Sequence, residues 1–122
     1  MGRPASPLPD FVAHCAELLA PLGTVRTNRM FGGWGLYVDE LFVAIVTGER
    51  LFLKTDEAGA ARHAAAGCEP FCFTKGGETI TTHYWSAPAD AMDSPALMQP
   101  WARGALQAAL AARARPPRAR RR

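Results

Sequence analysis

The sequence contains no long apolar run and few cysteines, and each shortage limits the class of protein. No apolar stretch approaches the ~20 residues that a membrane-spanning helix needs. The first ten residues, MGRPASPLPD, lack the apolar centre and cleavage pattern of a secretory signal. The three cysteines are an odd number set in apolar patterns, which indicates small buried thiols in a reducing compartment. We therefore expect a cytoplasmic protein.

Lysine is almost absent, with two lysines against twelve arginines, and the basic charge is concentrated at one end. The segment RARPPRARRR, from residue 113 on, holds six arginines and no acidic residue. Removing those six from the 14 basic residues leaves eight basic against 11 acidic residues in 1–112, a net charge of −3. Electrostatic attraction to nucleic acid therefore depends on the last ten residues.

The first half of the chain predicts a helix followed by a three-stranded meander. Apolar residues recur at helical spacing over about 9–20, and the segment 24–31 is expected to be short and extended or loop-like. The strands in WGLYVDELFVAIVTGERLFLKT are separated by two turns. Gly48-Glu49 predicts a type II′ turn, whereas Asp39-Glu40 lacks glycine and predicts a wider or non-primed turn.

The second half predicts a helix, a hairpin and a closing helix. Thr55 or Asp56 is expected to cap the helix in DEAGAARHAAAG, which ends at Gly67. EPFCFT and ETITTHYW then form a hairpin, and Ser94 caps the last helix. This order predicts an α+β fold, an antiparallel sheet flanked by helices. The predicted boundaries are a disordered lead at 1–8, a folded domain at 9–112 and a disordered arginine-rich tail at 113–122.

Three glycines within four residues, in NRMFGGWGLYVDE, raise the question of a phosphate-binding loop. A dinucleotide fingerprint needs a third, correctly spaced glycine and a helix directly after it. Here the third glycine is missing and the predicted next element is a strand. The pattern therefore favours a bend or a close backbone contact at the entry to the sheet.

No other residue pattern predicts catalysis, a metal or a cofactor. His63, Cys68, Cys72 and His83 do not form the two close pairs of a structural zinc site. Cys15 and His14 are neighbours on a helix and point in different directions, so they do not predict a nucleophile with its base.

The segment RMFGGWGLYVDELFVAIVTGERLFLKTDE, with HYWSAP and LMQPWARGALQAA, resembles the N-terminal domain of the TfoX/Sxy family over about residues 9–112. The resemblance implies a secretion-chaperone-like fold, α-β(3)-α-β(2)-α, in a bacterial cytoplasmic protein, and implies no catalysed reaction. Full-length members regulate natural competence, acting with the cyclic-AMP receptor protein at promoters, and carry a second, helical domain. In this sequence an arginine tail stands in that place, and Asn28 precedes Arg29 where the family often has a second basic residue.

These observations favour a non-enzymatic regulatory or adaptor domain that contacts an unknown protein partner, in transcription control, as a monomer or homodimer. Arg50, Phe52 and Lys54 form a basic-aromatic-basic strand face, which suits either single-stranded nucleic acid or an ordinary amphipathic strand. The predicted partner-binding residues are Arg29, Phe31, Gly32, Gly33, Phe52, Lys54 and Trp85.

Two alternatives stay open at this point. One is a nucleic-acid-binding protein driven by the tail, which would contact phosphates without sequence preference. The other is a small-molecule binder or enzyme whose site the sequence does not show. The tail arginines of the first alternative are Arg113, Arg115, Arg118, Arg120, Arg121 and Arg122.

Overall fold

A computed structural model describes residues 8–30 and 32–114 of the chain. Within these residues an antiparallel sheet of six strands is combined with three α-helices and two short 3-10 segments, Ala20–Leu22 and Ala89–Asp93. This confirms the predicted α+β class. In chain order the elements are α1 (Asp10–Leu19), β1 (Val25–Met30), β2 (Gly33–Val38), β3 (Leu41–Thr47), β4 (Arg50–Lys54), α2 (Glu57–Ala65), β5 (Pro70–Lys75), β6 (Glu78–Ser86) and α3 (Pro95–Ala114).

Strand β1 adds one strand to the expected order, so four strands rather than three precede α2 in the described chain. It pairs with β2 along its whole length, from Val25 opposite Val38 to Met30 opposite Gly33. The sequence VRTNRM is too polar to predict a strand by its own pattern. Pairing with an apolar neighbour, rather than intrinsic propensity, holds β1 in the sheet.

The strands lie in the order β1-β2-β3-β4-β6-β5. Strand β4 pairs with β6 over only three positions, from Phe52 opposite Ser86 to Lys54 opposite Tyr84. The β5–β6 pairing continues to Lys75 opposite Glu78. In the part of the chain that is described, the hairpin of β5 and β6 therefore extends past the end of β4.

Both predicted turn types are wrong, because both hairpin loops use left-handed backbone at non-glycine residues. Asp39 and Glu40 have φ of 49° and 67°, and Gly48 and Glu49 both have φ of 58°. Positive φ at both central residues is typical of the type I′ turn, which matches the twist of the strands. At the first loop, side-chain contacts accompany the strained backbone: the Asp39 carboxylate accepts a 2.9 Å hydrogen bond from the Thr24 N–H.

Helices α2 and α3 begin directly after the capping residues that the sequence predicted. The Asp56 carboxylate accepts a 2.7 Å hydrogen bond from the Gly59 N–H, and the Ser94 hydroxyl accepts one of 3.2 Å from the Leu97 N–H. The domain limits need two corrections. Leu8, assigned to the disordered lead, packs against the core, and α3 continues two residues past the predicted limit of 112. The remaining residues of the lead and tail, 1–7 and 115–122, lie outside the described residues.

Helix α3 lies close to the middle of the sheet because its inward stripe consists of alanine. Ala102, Ala105 and Ala109 are buried there, and α3 contacts both β3 and β4. Small side chains let a helix backbone approach its neighbours, while larger residues from other elements fill the remaining core. Those larger buried residues include Leu18, Leu19, Leu36 and Leu53, and Met98 is a large buried residue of α3 itself.

Gly33 is required by packing rather than by a special backbone angle. A Cβ atom built at this position would collide with the backbone carbonyl oxygen of Val46. The glycine therefore lets the start of β2 approach the end of β3, which is the close backbone contact that the sequence favoured.

We expect Gly33→Ala to lower the free energy of unfolding by about 1–3 kcal/mol, the usual cost of overpacking a rigid contact. Gly104→Ala is the matched control. It lies inside α3, where the added methyl group would meet only the flexible end of Arg62 at 3.2 Å. The control should raise stability by up to about 1 kcal/mol through helix propensity. Urea unfolding of both variants measures the two effects, and equal effects would contradict the assigned role of Gly33.

Candidate binding surfaces

All three described α-helices pack on one face of the sheet. Helices α1 and α3 contact each other, and α2 joins them through His63, whose ring meets the Trp101 ring edge-on at 4.8 Å between centroids. Residues of a strand alternate between its two faces, so those between the core positions point away from the helices. We call this surface the helix-free face. Its principal side chains are Arg26, Tyr37, Phe42, Ile45, Arg50, Phe52, Lys54, Phe71, Phe73 and Tyr84.

Two aromatic clusters lie on the helix-free face. In the first cluster Phe42 is 5.1 Å from Tyr37 and 5.7 Å from Tyr84, measured between ring centroids. Burial, with a smaller contribution from Tyr37, raises the pKa of Tyr84 to about 12, so its hydroxyl is neutral. In the second cluster the Phe71 ring is 5.1 Å from Phe52 and 6.3 Å from Phe73. We define the second cluster as Phe52, Phe71 and Phe73.

A cationic side chain lies over a ring at three places on this face. The Arg26 guanidinium is 4.2 Å from the Tyr37 ring centroid, and that of Arg50 is 5.0 Å from the Phe52 centroid. The Lys54 ammonium is 5.2 Å from the Tyr84 centroid. These are cation–π distances, and the aliphatic stems also shield the rings from water. The basic-aromatic-basic pattern predicted for β4 is therefore confirmed as a packed arrangement.

The second aromatic cluster is the more open of the two. Phe52 is only 4% exposed, but Phe73 is 43% exposed. Next to them is a depression of about 390 Å³, with Arg50, Glu69 and Phe71 in its lining. Strand β5 is the last strand of the sheet, so one of its edges has no neighbouring strand in the described chain. An apolar ring, a depression and a strand edge thus lie together.

The glycine-rich turn lines a separate cavity of about 460 Å³ between the start of β2 and the start of α1. Gly32, Gly33 and Trp34 form one wall. Asp10 and Glu49 also line it, and two carboxylates disfavour a phosphate group there. The chemistry of this cavity therefore favours the interpretation of the glycines as a bend rather than as a phosphate-binding loop.

A family comparison identifies the domain that carries these surfaces. The model of the TfoX N-terminal domain matches residues 17–109, which include the glycine-rich turn and both aromatic clusters. The chain belongs to the TfoX N-terminal domain family. No curated protein matches it. Membership supports a regulatory, adaptor-like domain. None of the helices in 8–30 and 32–114 combines the length and hydrophobicity needed to cross a membrane.

In this TfoX N-terminal domain the predicted partner-binding residues do not form one surface. Phe52 and Lys54 lie on the helix-free face. Trp85 pairs with Leu53, so it lies on the opposite face, under the helices. Arg29 lies at the sheet edge, 5.6 Å from the Trp34 ring centroid. The prediction grouped these residues by their chemical type. The alternation of side chains along each strand places them on different faces of the sheet.

The remaining predicted site residues lie at the turn before β2, in the last turn of α3 or outside the described residues. Gly32 has φ of 80° and forms the turn into β2 together with Gly33. Phe31 lies outside the described residues. Of the predicted tail set, Arg113 is described and is exposed in the last turn of α3. The other members of that set, which are Arg115, Arg118, Arg120, Arg121 and Arg122, lie outside the described residues.

Sequence reasoning missed most of the helix-free face. Arg26 lies in a segment that was expected to be extended or loop-like and was not assigned to the sheet. The pairing of Phe42 with Tyr84 spans two strands that are distant in the sequence. One available signal was the alternation in PFCFT, which places Phe71 and Phe73 on the same side. The ion pair of Arg26 with Glu40, 2.8 Å long, was not predicted either.

Among the residues considered for metal binding or catalysis, Cys15, His14 and His63 are engaged in packing or hydrogen bonds, whereas Cys72 and His83 are exposed. The His63 Nδ1–H donates a 2.9 Å hydrogen bond to the Ser86 carbonyl oxygen in a buried setting. The His14 Nε2–H donates to the Met92 carbonyl oxygen at 2.7 Å. Cys15 is fully buried, and burial raises its pKa to about 12, which keeps the thiol protonated. In the described residues no three His, Cys, Asp or Glu side chains cluster in a way that suits a metal.

We expect stability to fall as the pH is lowered through the range in which His63 titrates. Burial, and to a lesser extent Arg62, lowers the pKa of His63 below its ordinary value of 6.5. Below pH 6.5 the unfolded chain therefore binds more protons than the folded chain, so the stabilisation present above 6.5 is lost toward the folded-state pKa. Chemical unfolding at pH 7.5 and 5.5 measures this loss.

His63→Asn keeps a donor for the Ser86 carbonyl and removes the titrating ring. The variant should lose less stability than the parent protein between the two pH values. His83→Asn is the control at an exposed histidine on β6 and should retain the parent dependence. An equal loss of stability between the two pH values in all three proteins would show that the protonation of His63 is not linked to unfolding.

Proposed function

We propose that this domain is a non-enzymatic adaptor that acts in transcription control by binding a protein partner through the second aromatic cluster and the edge of β5. The observation that carries the proposal is the exposure of Phe73, at 43%, next to Phe71, which lines the 390 Å³ depression. Exposed aromatic residues next to a depression are typical anchors of protein interfaces. Family membership supports the regulatory part of the proposal, and we infer a location in the bacterial cytoplasm on the same ground.

The partner that fits this site is an extended protein segment with apolar side chains and a carboxylate. An extended segment can add to the open edge of β5 by backbone hydrogen bonds, and its alternate side chains would then meet the rings. The ion pair of Arg50 with Glu69 is 3.7 Å long and exposed on both sides. Such a pair is worth little, so Arg50 is available to a carboxylate of the partner.

Non-enzymatic action is part of this proposal. Its support is that Cys15, His14 and His63, three of the residues with nucleophilic or basic chemistry considered above, are held in the core or by backbone carbonyls. Cys15 is protonated and buried, and both His14 and His63 donate to carbonyl oxygens. A binding role would use the helix-free face, whose side chains are aromatic and cationic.

We expect Phe73→Ser to abolish capture of the partner from native cytoplasm, because it removes the exposed anchor. Leu97→Ser is the matched control, since Leu97 is 49% exposed on α3, on the other face. Quantitative mass spectrometry should detect a protein that the parent and Leu97→Ser capture and that Phe73→Ser loses by at least tenfold, equivalent to ~1.4 kcal/mol of binding.

The captured protein must then be shown to occupy β5. Hydrogen exchange of the purified complex should protect the backbone of Pro70–Lys75, because strand addition buries that edge. The transcript profile of cells carrying Phe73→Ser should match that of a deletion strain. Loss of the partner with Leu97→Ser, or protection at α3 instead of β5, would overturn the proposed surface.

A further inference from the structure

Strand β5 has one edge without a neighbouring strand in the described chain. Backbone groups along an antiparallel strand point alternately to its two sides, so the pairing with β6 determines which of them reach the open edge. Lys75 lies opposite Glu78 across a two-residue turn, so its backbone groups face β6. The Glu69 carbonyl oxygen also faces β6, where it accepts a 2.8 Å hydrogen bond from the Ser86 N–H. The odd-numbered residues of this segment are therefore turned toward β6.

The even-numbered residues of β5 present their backbone groups to the open edge. Cys72 and Thr74 each offer an N–H and a carbonyl oxygen there, whereas Pro70 offers only a carbonyl oxygen. A second strand can pair with this edge only if the residues that exchange hydrogen bonds both face it. When two copies of β5 pair in antiparallel orientation, each even-numbered residue must therefore lie opposite an even-numbered one.

One register that meets this condition is complementary in charge. It places Cys72 of one copy opposite Cys72 of the other, on a two-fold axis, so that Glu69 lies opposite Lys75 at both ends of the segment EPFCFTK. Opposite charges that face each other across strands stabilise the pairing, and like charges destabilise it. Lys75 forms no ion pair with any residue in 8–30 or 32–114, and the pair of Glu69 with Arg50 is 3.7 Å long and exposed. Both charges are therefore available to a second copy.

The same register brings aromatic rings together. Phe71 of each copy lies opposite Phe73 of the other, at positions without backbone hydrogen bonds between the copies, where side chains approach most closely. Both residues lie on the helix-free face, and Phe73 is 43% exposed in the single chain. Pairing covers this ring and joins the second aromatic clusters of the two copies into one apolar row, which stabilises the contact.

We propose that two copies of this chain associate through β5, in antiparallel register about Cys72, and join their two six-stranded sheets into one. The two Cys72 residues exchange backbone hydrogen bonds, and each Thr74 N–H donates to the Pro70 carbonyl oxygen of the other copy. A strand-to-strand contact of this length is small, so the dimer forms reversibly.

The dimer uses the same edge as the proposed function but does not require the partner named there. While the two copies are paired, neither β5 edge is open to an extended segment of another protein. Binding of such a segment therefore competes with dimer formation. Pairing also protects an edge that would otherwise be open to unspecific strand addition.

The test measures sedimentation of the purified full-length chain from about 10 μM to about 1 mM, a range that covers weak association. Glu69→Lys and Lys75→Glu each place like charges opposite each other at both ends of the paired strands. An equimolar mixture of these two variants restores opposite charges at both ends of a mixed dimer. Glu17→Lys is the matched control, with the same change of charge at an exposed residue of α1. Circular dichroism and urea unfolding verify that each variant is folded.

We expect the parent and Glu17→Lys to dimerise with equal affinity, and each edge variant to dimerise at least about tenfold more weakly, because two attractive pairs become repulsive. The mixture should recover the affinity of the parent.

Cross-linking with a short bis-maleimide locates the axis, because the Cα atoms of a hydrogen-bonded antiparallel pair are only about 5.5 Å apart. The cross-linked dimer should be lost in Cys72→Ser and retained in Cys68→Ser.

Several outcomes would overturn the proposal. A parent protein that stays monomeric at the highest concentration would exclude the dimer, and edge variants that dimerise as well as the parent would place it on another surface. A mixture that dimerises no better than its components would exclude the antiparallel register, and cross-linking that depends on Cys68 would move the axis. These assays contain no other protein, so their failure leaves the adaptor proposal intact. Capture that does not depend on Phe73 would reject the adaptor surface and leave these measurements unchanged.

Discussion

The close approach of α3 to the centre of the sheet is the constraint on which the rest of the fold depends. Ala102, Ala105 and Ala109 are buried in a helix that contacts strands β3 and β4, and each contributes only a methyl group. Leu18 and Leu36 then fill the space beside the helix, and within the described residues the main hydrophobic cluster forms on this face. Because the described helices lie on one side, the opposite side of the sheet is covered, as far as the described residues show, by its own side chains, chiefly aromatic rings and the cations above them. The candidate surfaces are therefore a consequence of how the core is made.

The sequence predicted the parts of the fold that have a local cause. Asp56 and Ser94 cap their helices as expected, because a cap requires only a side chain and the N–H three residues later. The pairing of β1 and the type of the turn at Asp39 were not predicted, because both depend on partners that other parts of the chain supply. Val38 pairs with Val25, and Thr24 hydrogen-bonds Asp39, so neither feature is contained in its own segment. Tertiary context decides such segments more than propensity does.

The candidate site was predicted less well than the fold for a similar reason. Phe52 and Lys54 were selected correctly as neighbours on one strand face, which period-two alternation shows directly. Trp85 was grouped with them by residue type, although its pairing with Leu53 places it under the helices. Phe73 was not selected at all, because its exposure results from the position of β5 at the end of the sheet. The order of strands in the sheet decides whether an aromatic residue is buried or exposed, and a single sequence does not reveal that order.

The short pairing between β4 and β6 has a consequence for local stability. Only Phe52, Leu53 and Lys54 join the β5–β6 hairpin to the rest of the sheet by strand pairing in the described residues, and the outer part of the hairpin has one partner strand. A two-stranded ribbon is marginally stable in water, so this region opens at a lower free energy than the core. The hairpin can therefore open and close while α1, α3 and the inner strands stay folded. A segment bound at β5 would make β5 the middle strand of a three-stranded unit. The binding affinity of that segment would then include the free energy of keeping the hairpin closed.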